Sequence, residues 1–475
     1  MVHALVKSER EFIWDLMEYA IEYGQKLGAK FVEVRYEELY RTLVNLEKDR
    51  VVSVRNPIIR GLGVTIYLDG TKGYGYSCKL DKTGVEESVK HAIKAAKISS
   101  KLAKVKLEPA EYKPEKYAGF VPSLKKDPLY VEISEKVEML KDAVRNTLKK
   151  NVLSLRTTYV DLRGLKMFLA SDGLKRIWEP YLVGVSAYAT VRKDGSIGSN
   201  AELKGASRGL ELFDEFPIES IISKAISGAE EIAVAKRIKP GKYPLICNPE
   251  FAGVIAHESF GHLTEADSIW TKMSILHDKL GEQIGSEHAT VIDSGDPINY
   301  GWYQPYDDEG IACKTVVILE KGILKHFLTT RDTAPLLKMD ITGNARAIDP
   351  FHPPIPRMRN TYFGAGDMSK EELFELIKRG VYVEGSLGGE TEPTGIFTFG
   401  ANRAYWVENG EIKYALKAVN VRAHILDFLK NIIGASKEVF VRGPVLGGCG
   451  KRGQAPLPVG LGGPYLAVRE AIIGG

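Results

Sequence analysis

Cysteine and glutamine are nearly absent from this 475-residue chain, with four of each. Cys78, Cys247, Cys313 and Cys449 lie far apart and form no C-x-x-C pair, which argues against a disulfide framework. Glutamine gives way to abundant Lys and Glu, a bias associated with proteins that work at high temperature. No run of about 18 apolar residues exists, so no segment is expected to cross a membrane. The first residues turn charged and helical at once and hold no signal-peptide core, so a cytoplasmic protein is expected. A strong charge excess is missing too. The 65 basic and 61 acidic residues leave a formal charge of +4, too little to argue for a nucleic-acid partner.

What is present is an ordinary globular balance, 44% hydrophobic and 27% charged, in a chain too long for one core. A helix is predicted over about residues 9–27, with Ser8 as cap, Gly28 as stop, and Phe12, Leu16, Ala20 and Leu27 on its buried side. Strands follow, then a helix over about residues 82–102. The same order recurs further on, and Gly184-Val185-Ser186-Ala187-Tyr188 echoes Gly63-Val64-Thr65-Ile66-Tyr67. A helix–strands–helix unit used twice is the reading. Beyond Lys239-Pro240-Gly241 the pattern changes to short strands and glycine turns. The expectation is an α+β protein: an α/β segment over 1–107, a linker over 108–130, a second α/β segment over 131–237, and a β-rich domain over 238–475.

Asn248-Pro249-Glu250 reads as a helix start, and the helix carries His257-Glu258-Ser259-Phe260-Gly261-His262. The spacing is one residue longer than the H-E-x-x-H of common zinc peptidases. On a regular helix, positions five apart diverge by ~140°, against ~40° for positions four apart. A π-bulge, or unwinding at Gly261, would bring both imidazoles to one ion. A regular helix would offer Glu258 and His262 instead, and two histidines on a half-buried helix need no metal at all. A catalytic zinc site needs a third protein ligand. Cys449, set among Gly447, Gly448, Gly450 and Gly453, is the candidate; a nucleophile paired with His257 and a plain loop residue are its alternatives.

These residues, with Glu265 and Asp267, Tyr306-Asp307-Asp308-Glu309-Gly310, Pro356-Arg357-Met358-Arg359-Asn360-Thr361, Val407-Glu408-Asn409-Gly410-Glu411-Ile412 and Cys449-Gly450-Lys451-Arg452-Gly453-Gln454, resemble the TldD/PmbA family, and specifically its catalytic TldD branch. The resemblance spans nearly the whole chain. It implies a zinc metalloprotease acting on peptides or unfolded segments, with one Zn²⁺ per chain on His257, His262 and Cys449. It also implies assembly with a PmbA/TldE-like partner that lacks the metal motif, or self-association. Arg452 departs from the acidic residue expected in many relatives, which bears on substrate preference rather than on metal.

Two imidazoles and a thiolate leave Zn²⁺ with a net charge of about +1, so a nearby base is needed to activate its water, and Glu258 suits that role. Glu265 and Asp267 are candidate acceptors for the ring N–H groups of the histidines. Tyr303, Tyr306 and Arg357 are candidates for substrate or oxyanion contacts. Asp307, Asp308 and Glu309 resemble a metal cluster but read better as a turn. The rival readings are a non-catalytic peptide-binding or assembly subunit, and a cysteine peptidase using Cys449.

Overall fold

The computed structural model describes residues 7–113, 117–445 and 448–474; residues 1–6, 114–116, 446–447 and 475 lie outside them. Helix α1 (Lys7–Lys26) starts before Ser8, so that residue lies inside the first turn rather than capping it. Its buried stripe is Ile13, Leu16, Met17 and Ala20. Phe12 and Leu27, expected on that side, are 50% and 36% exposed, because the face that meets the sheet is centred one residue on from Phe12. Gly28, at φ +95°, ends the helix as expected.

The first unit continues through β1 (Phe31–Glu47), β2 (Arg50–Arg55), β3 (Ile58–Leu68), β4 (Thr71–Ser77) and α2 (Lys82–Ser100). The second runs β5 (Tyr117–Phe120), α3 (Ile133–Thr147), β6 (Val152–Ala170), β7 (Lys175–Trp178), β8 (Tyr181–Lys193), β9 (Ser196–Ala206) and α4 (Ile218–Ala233). Both units share one nine-stranded sheet, because the long β1 and β6 pair antiparallel from Glu33↔Ala170 to Glu47↔Arg156. Each keeps its own core, one between α1, α2 and the β3 side, the other between α3, α4 and the β8 side. The two echoing pentapeptides occupy β3 and β8, each flanked by the strand that follows it in sequence. Gly73 on β4 and Gly198 on β9 are both needed for close approach, since a Cβ there would strike the backbone of α2 or α4. Residues between the units are tied down: Ala110 N–H donates to the Arg331 carbonyl, and β5 joins the sheet edge parallel to β7.

From Gly241 on, the chain builds two further sheets. An eight-stranded one contains β10 (Gly241–Cys247), β11 (Arg379–Thr391), β12 (Ile396–Glu408) and β15 (Leu466–Gly474). A six-stranded one includes Asn360–Phe363 and Gly460–Gly463. Helix α5 (Pro249–Val254) packs against strands of both, in the largest core of the molecule, with Phe251, Ile255 and Phe260 fully buried. The hairpin of β13 (Cys449–Lys451) and β14 (Gln454–Leu457) pairs only with itself. The fold is therefore α+β, with a β-rich C-terminal region. No helix among the described residues is long and apolar enough to cross a membrane.

Candidate metal centre

The site starts from a local sequence signal. The Asn248 side chain accepts from Phe251 N–H at 2.9 Å and Pro249 occupies the first helical position, so α5 begins where the sequence predicts. After Val254 the helix widens into a π-helical turn over Ile255–Phe260 and then tightens into a 3₁₀ turn over Gly261–Thr264. The extra residue of the wide turn removes the angular mismatch of the five-residue spacing. The His257 and His262 rings come to 5.3 Å between centroids, at 79° to each other. Gly261 keeps helical angles, φ −56° and ψ −47°, so the chain does not unwind there. It is small because Met358 lies directly over it.

The third donor arrives from the far end of the chain. β13 and β14 turn through Arg452 (φ +50°) and Gly453 (φ +78°), the left-handed pair of a tight two-residue hairpin. This sets Cys449 Sγ 3.3 Å from His262 Nε2. One donor atom each from His257, His262 and Cys449 lies within 4.8 Å of the other two. Gly448, at φ +147°, leaves no room for a Cβ beside the Leu457 backbone.

These donors suit a metal ion. His257 is 1% exposed, and among the described residues no hydrogen bond of good geometry reaches either ring nitrogen. Leaving a buried imidazole so costs free energy unless a ligand uses its lone pair. Burial pushes the Cys449 thiol up, but the flanking His257 and His262 rings bring it down to about 5, which favours the thiolate form. Two imidazole nitrogens and a cysteine sulfur are a donor set that a borderline-soft divalent metal accepts, with a position left open.

Around the donors the expected acceptors divide. His262 Nδ1 lies 3.0 Å from Glu265 Oε2, which fixes the ring so that Nε2 faces Cys449. Burial pushes His262 down, yet the adjacent Glu265 carboxylate and Cys449 raise it well above its usual range. Burial alone would raise Glu265, and His262 and Lys451 hold it at about 2. Asp267 reaches no imidazole: it pairs with Lys451 at 2.6 Å and Arg452 at 3.2 Å. Arg452 is thus engaged with Asp267 at the turn of the cysteine hairpin.

Glu258 is 44% exposed, with carboxylate oxygens 4.0 Å from His257 Nε2 and 3.8 Å from His262 Nε2. It stands at the open side of an otherwise buried group. Tyr303 packs edge-on against Phe120 at 4.6 Å, and Tyr306 against Trp178 at 5.9 Å, at the seam with the N-terminal sheet. Arg357 is fully buried and donates from Nη1 to the Gln454 carbonyl at 3.2 Å, on the hairpin that carries Cys449. Lys451, unremarked as a site residue from sequence, contacts Glu265, Asp267 and the Pro356 carbonyl. Its signal was position, two residues after Cys449 and so on the same strand face.

The PmbA/TldA metallopeptidase C-terminal domain matches residues 240–475, and domain 1 of the same family matches residues 32–98. A protein named metalloprotease from Methanocaldococcus jannaschii is 32% identical over 91% of this chain and 94% of its own. One named zinc metalloprotease TldD homolog, from Saccharolobus solfataricus, is 30% identical over 96% and 99%. TldE from Thermococcus kodakarensis shares the fold at a TM-score of 0.74 and 20% identity, covering 97% of this chain and all of that one. The π-turn histidines and the distant cysteine thus stand in a chain that belongs to the PmbA/TldD metallopeptidase family.

Proposed function

We propose that this chain is a zinc-dependent peptidase that hydrolyses peptides or unfolded polypeptide segments, one Zn²⁺ per chain, with Glu258 as general base. The observation that carries the reading is the pairing of a buried His257, whose ring nitrogens no hydrogen bond of good geometry reaches among the described residues, with an exposed carboxylate on the very next residue. When bound, Zn²⁺ supplies a Lewis acid for the scissile carbonyl and acidifies an attacking water. His257 and His262 bind through nitrogen and Cys449 through sulfur, and Glu265 orients His262 from the far side of its ring. Glu258 takes the water proton on its carboxylate and returns it to the leaving amine. As a neighbour of the ligands rather than one of them, it is free to do so.

An extended substrate is supported by the outer edge of β11 beyond Gly385, whose N–H is already taken by Asn248. That strand pairs with β10 only at Val381–Val383, so from Glu384 to Thr391 its ladder partner among the described residues is β12 alone. Thr391 Oγ1 lies 3.2 Å from Ser259 Oγ, beside Glu258. A peptide added along this edge would be held by main-chain hydrogen bonds, which demands an unfolded backbone and little side-chain preference. The relatives' names and the TldE fold support a TldE-like partner subunit or self-association.

Metal analysis and X-ray absorption test the reading. About one zinc per chain is expected, with two nitrogens near ~2.0–2.1 Å and one sulfur near ~2.3 Å. Protein without zinc, or without sulfur around it, would refute the site. Cleavage of a reduced, denatured protein but not its native form, assayed with and without a TldE-like subunit, is the expected activity.

A further inference from the structure

We propose that Lys451 is a positioning residue that locks the cysteine hairpin onto the histidine turn, so that Cys449 meets His257 and His262, the latter 187 residues away in sequence, at one point. The inference rests on the zinc-ligand reading above. Among the described residues β13 and β14 pair with each other and with no strand of the larger sheets, and Arg357 and Gln454 tie the β14 arm rather than the strand that carries Cys449. Ladder hydrogen bonds therefore do not fix Cys449 relative to His257 and His262.

Lys451 supplies what the ladder does not. Its ammonium has three N–H donors and three acceptors: Glu265 Oε2 at 3.0 Å, Asp267 Oδ1 at 2.6 Å and the Pro356 carbonyl at 3.2 Å. The side chain is only 12% exposed, so solvent screens these contacts little. Each acceptor belongs to a part of the site wall. Glu265 is the carboxylate that orients His262, and Asp267 opens the short helix Ala266–Trp270. Pro356 precedes Arg357, which holds the Gln454 carbonyl, and Met358, which lies over Gly261. One cation thus joins the histidine segment, the Ile355–Met358 stretch and the cysteine strand. An uncompensated ammonium here would be costly, so the hairpin has one favourable seat.

The test is a double-variant cycle read as zinc affinity, by chelator competition on the full chain. Lys451→Met is expected to weaken zinc binding about 10- to 100-fold. Cys449→Ser should weaken it at least as much, and the combined variant no more than Cys449→Ser alone. Lys451→Arg, which can bridge the same two carboxylates, should restore most of the affinity. Melting of the metal-free proteins checks that each folds; should Lys451→Met not fold, Asp267→Asn enters the cycle with the same expected sign. Unchanged affinity in Lys451→Met, or an equal loss with and without the Cys449→Ser change, overturns the positioning role alone. Unchanged affinity in Cys449→Ser overturns the ligand reading itself, and the positioning role with it.

Discussion

Two buried clusters of charged and metal-competent side chains lie in this molecule, and they are built oppositely. At the seam between the N-terminal sheet and the C-terminal region, Asp307, Asp308 and Glu309 form a turn in which each carboxylate is engaged. Asp307 accepts from the backbone N–H of Glu309, Ile311 and Ala345, Asp308 pairs with Lys166 at 2.7 Å, and Glu309 accepts from Arg331 N–H at 2.7 Å. Around His257 the reverse holds: among the described residues no hydrogen bond of good geometry reaches either buried ring nitrogen, while a cysteine sulfur and a second imidazole close in. Burial of polar groups is common to both. A cluster whose lone pairs are used up can hold segments together, and one whose lone pairs are left over can take a ligand.

The largest effect should come from the exposed carboxylate beside the donor cluster. Glu258→Gln is expected to lower peptide hydrolysis by about 10²–10⁴-fold while zinc content stays at the wild-type level. A variant that also loses zinc would make Glu258 a ligand and collapse the distinction between base and donors. At the seam, Asp308→Ala leaves Lys166 and Arg35 short of a buried partner and should cost about 3–5 kcal/mol of stability. Zinc affinity, by chelator titration, should not move. A loss of affinity comparable to that of a ligand variant would show that the clusters are not independent.

Between these extremes lies Glu265, which belongs to both kinds: Oε2 is paired with His262 and Lys451, while Oε1 has no hydrogen-bond partner among the described residues. Glu265→Gln should weaken zinc binding by about 10- to 100-fold, read by the same titration. The smallest effect is a pH slope. Burial pushes Glu33 up to about 7, although Arg331 and Lys72 oppose it. The folded protein then holds this proton more tightly than the unfolded chain, whose carboxyl titrates near 4.5. The stability it contributes is complete below about pH 4.5 and is lost as pH rises through 7. Glu33→Gln should therefore shrink the fall in Tm between pH 5 and pH 8; an unchanged slope would place the titration elsewhere in the seam.

How legible each region was follows from the range of its interactions. The start of α5 was readable because Asn248, Pro249 and Phe251 act within one turn. The twofold helix–strands–helix order was readable from periodicity, but not that β1 and β6 fuse both units into one sheet. Pairing across more than a hundred residues leaves no local mark. Phe12 was placed inward because a helical stripe has a period but no absolute phase, and only the sheet beneath it chose Ile13 and Met17.

For the site, the sequence by itself determined which donor types are available, that His257 and His262 can face one point only on a distorted helix, and the oddity of a cysteine among glycines. Local geometry demands these whatever the rest of the chain does. The tertiary structure decided that the distortion is a π turn with Gly261 still helical under Met358, that Glu265 rather than Asp267 meets an imidazole, and that Lys451 ties the cysteine hairpin in place. Those outcomes depend on which segments pack against the turn. Side chains 184 to 187 residues apart become neighbours only once two sheets close around α5.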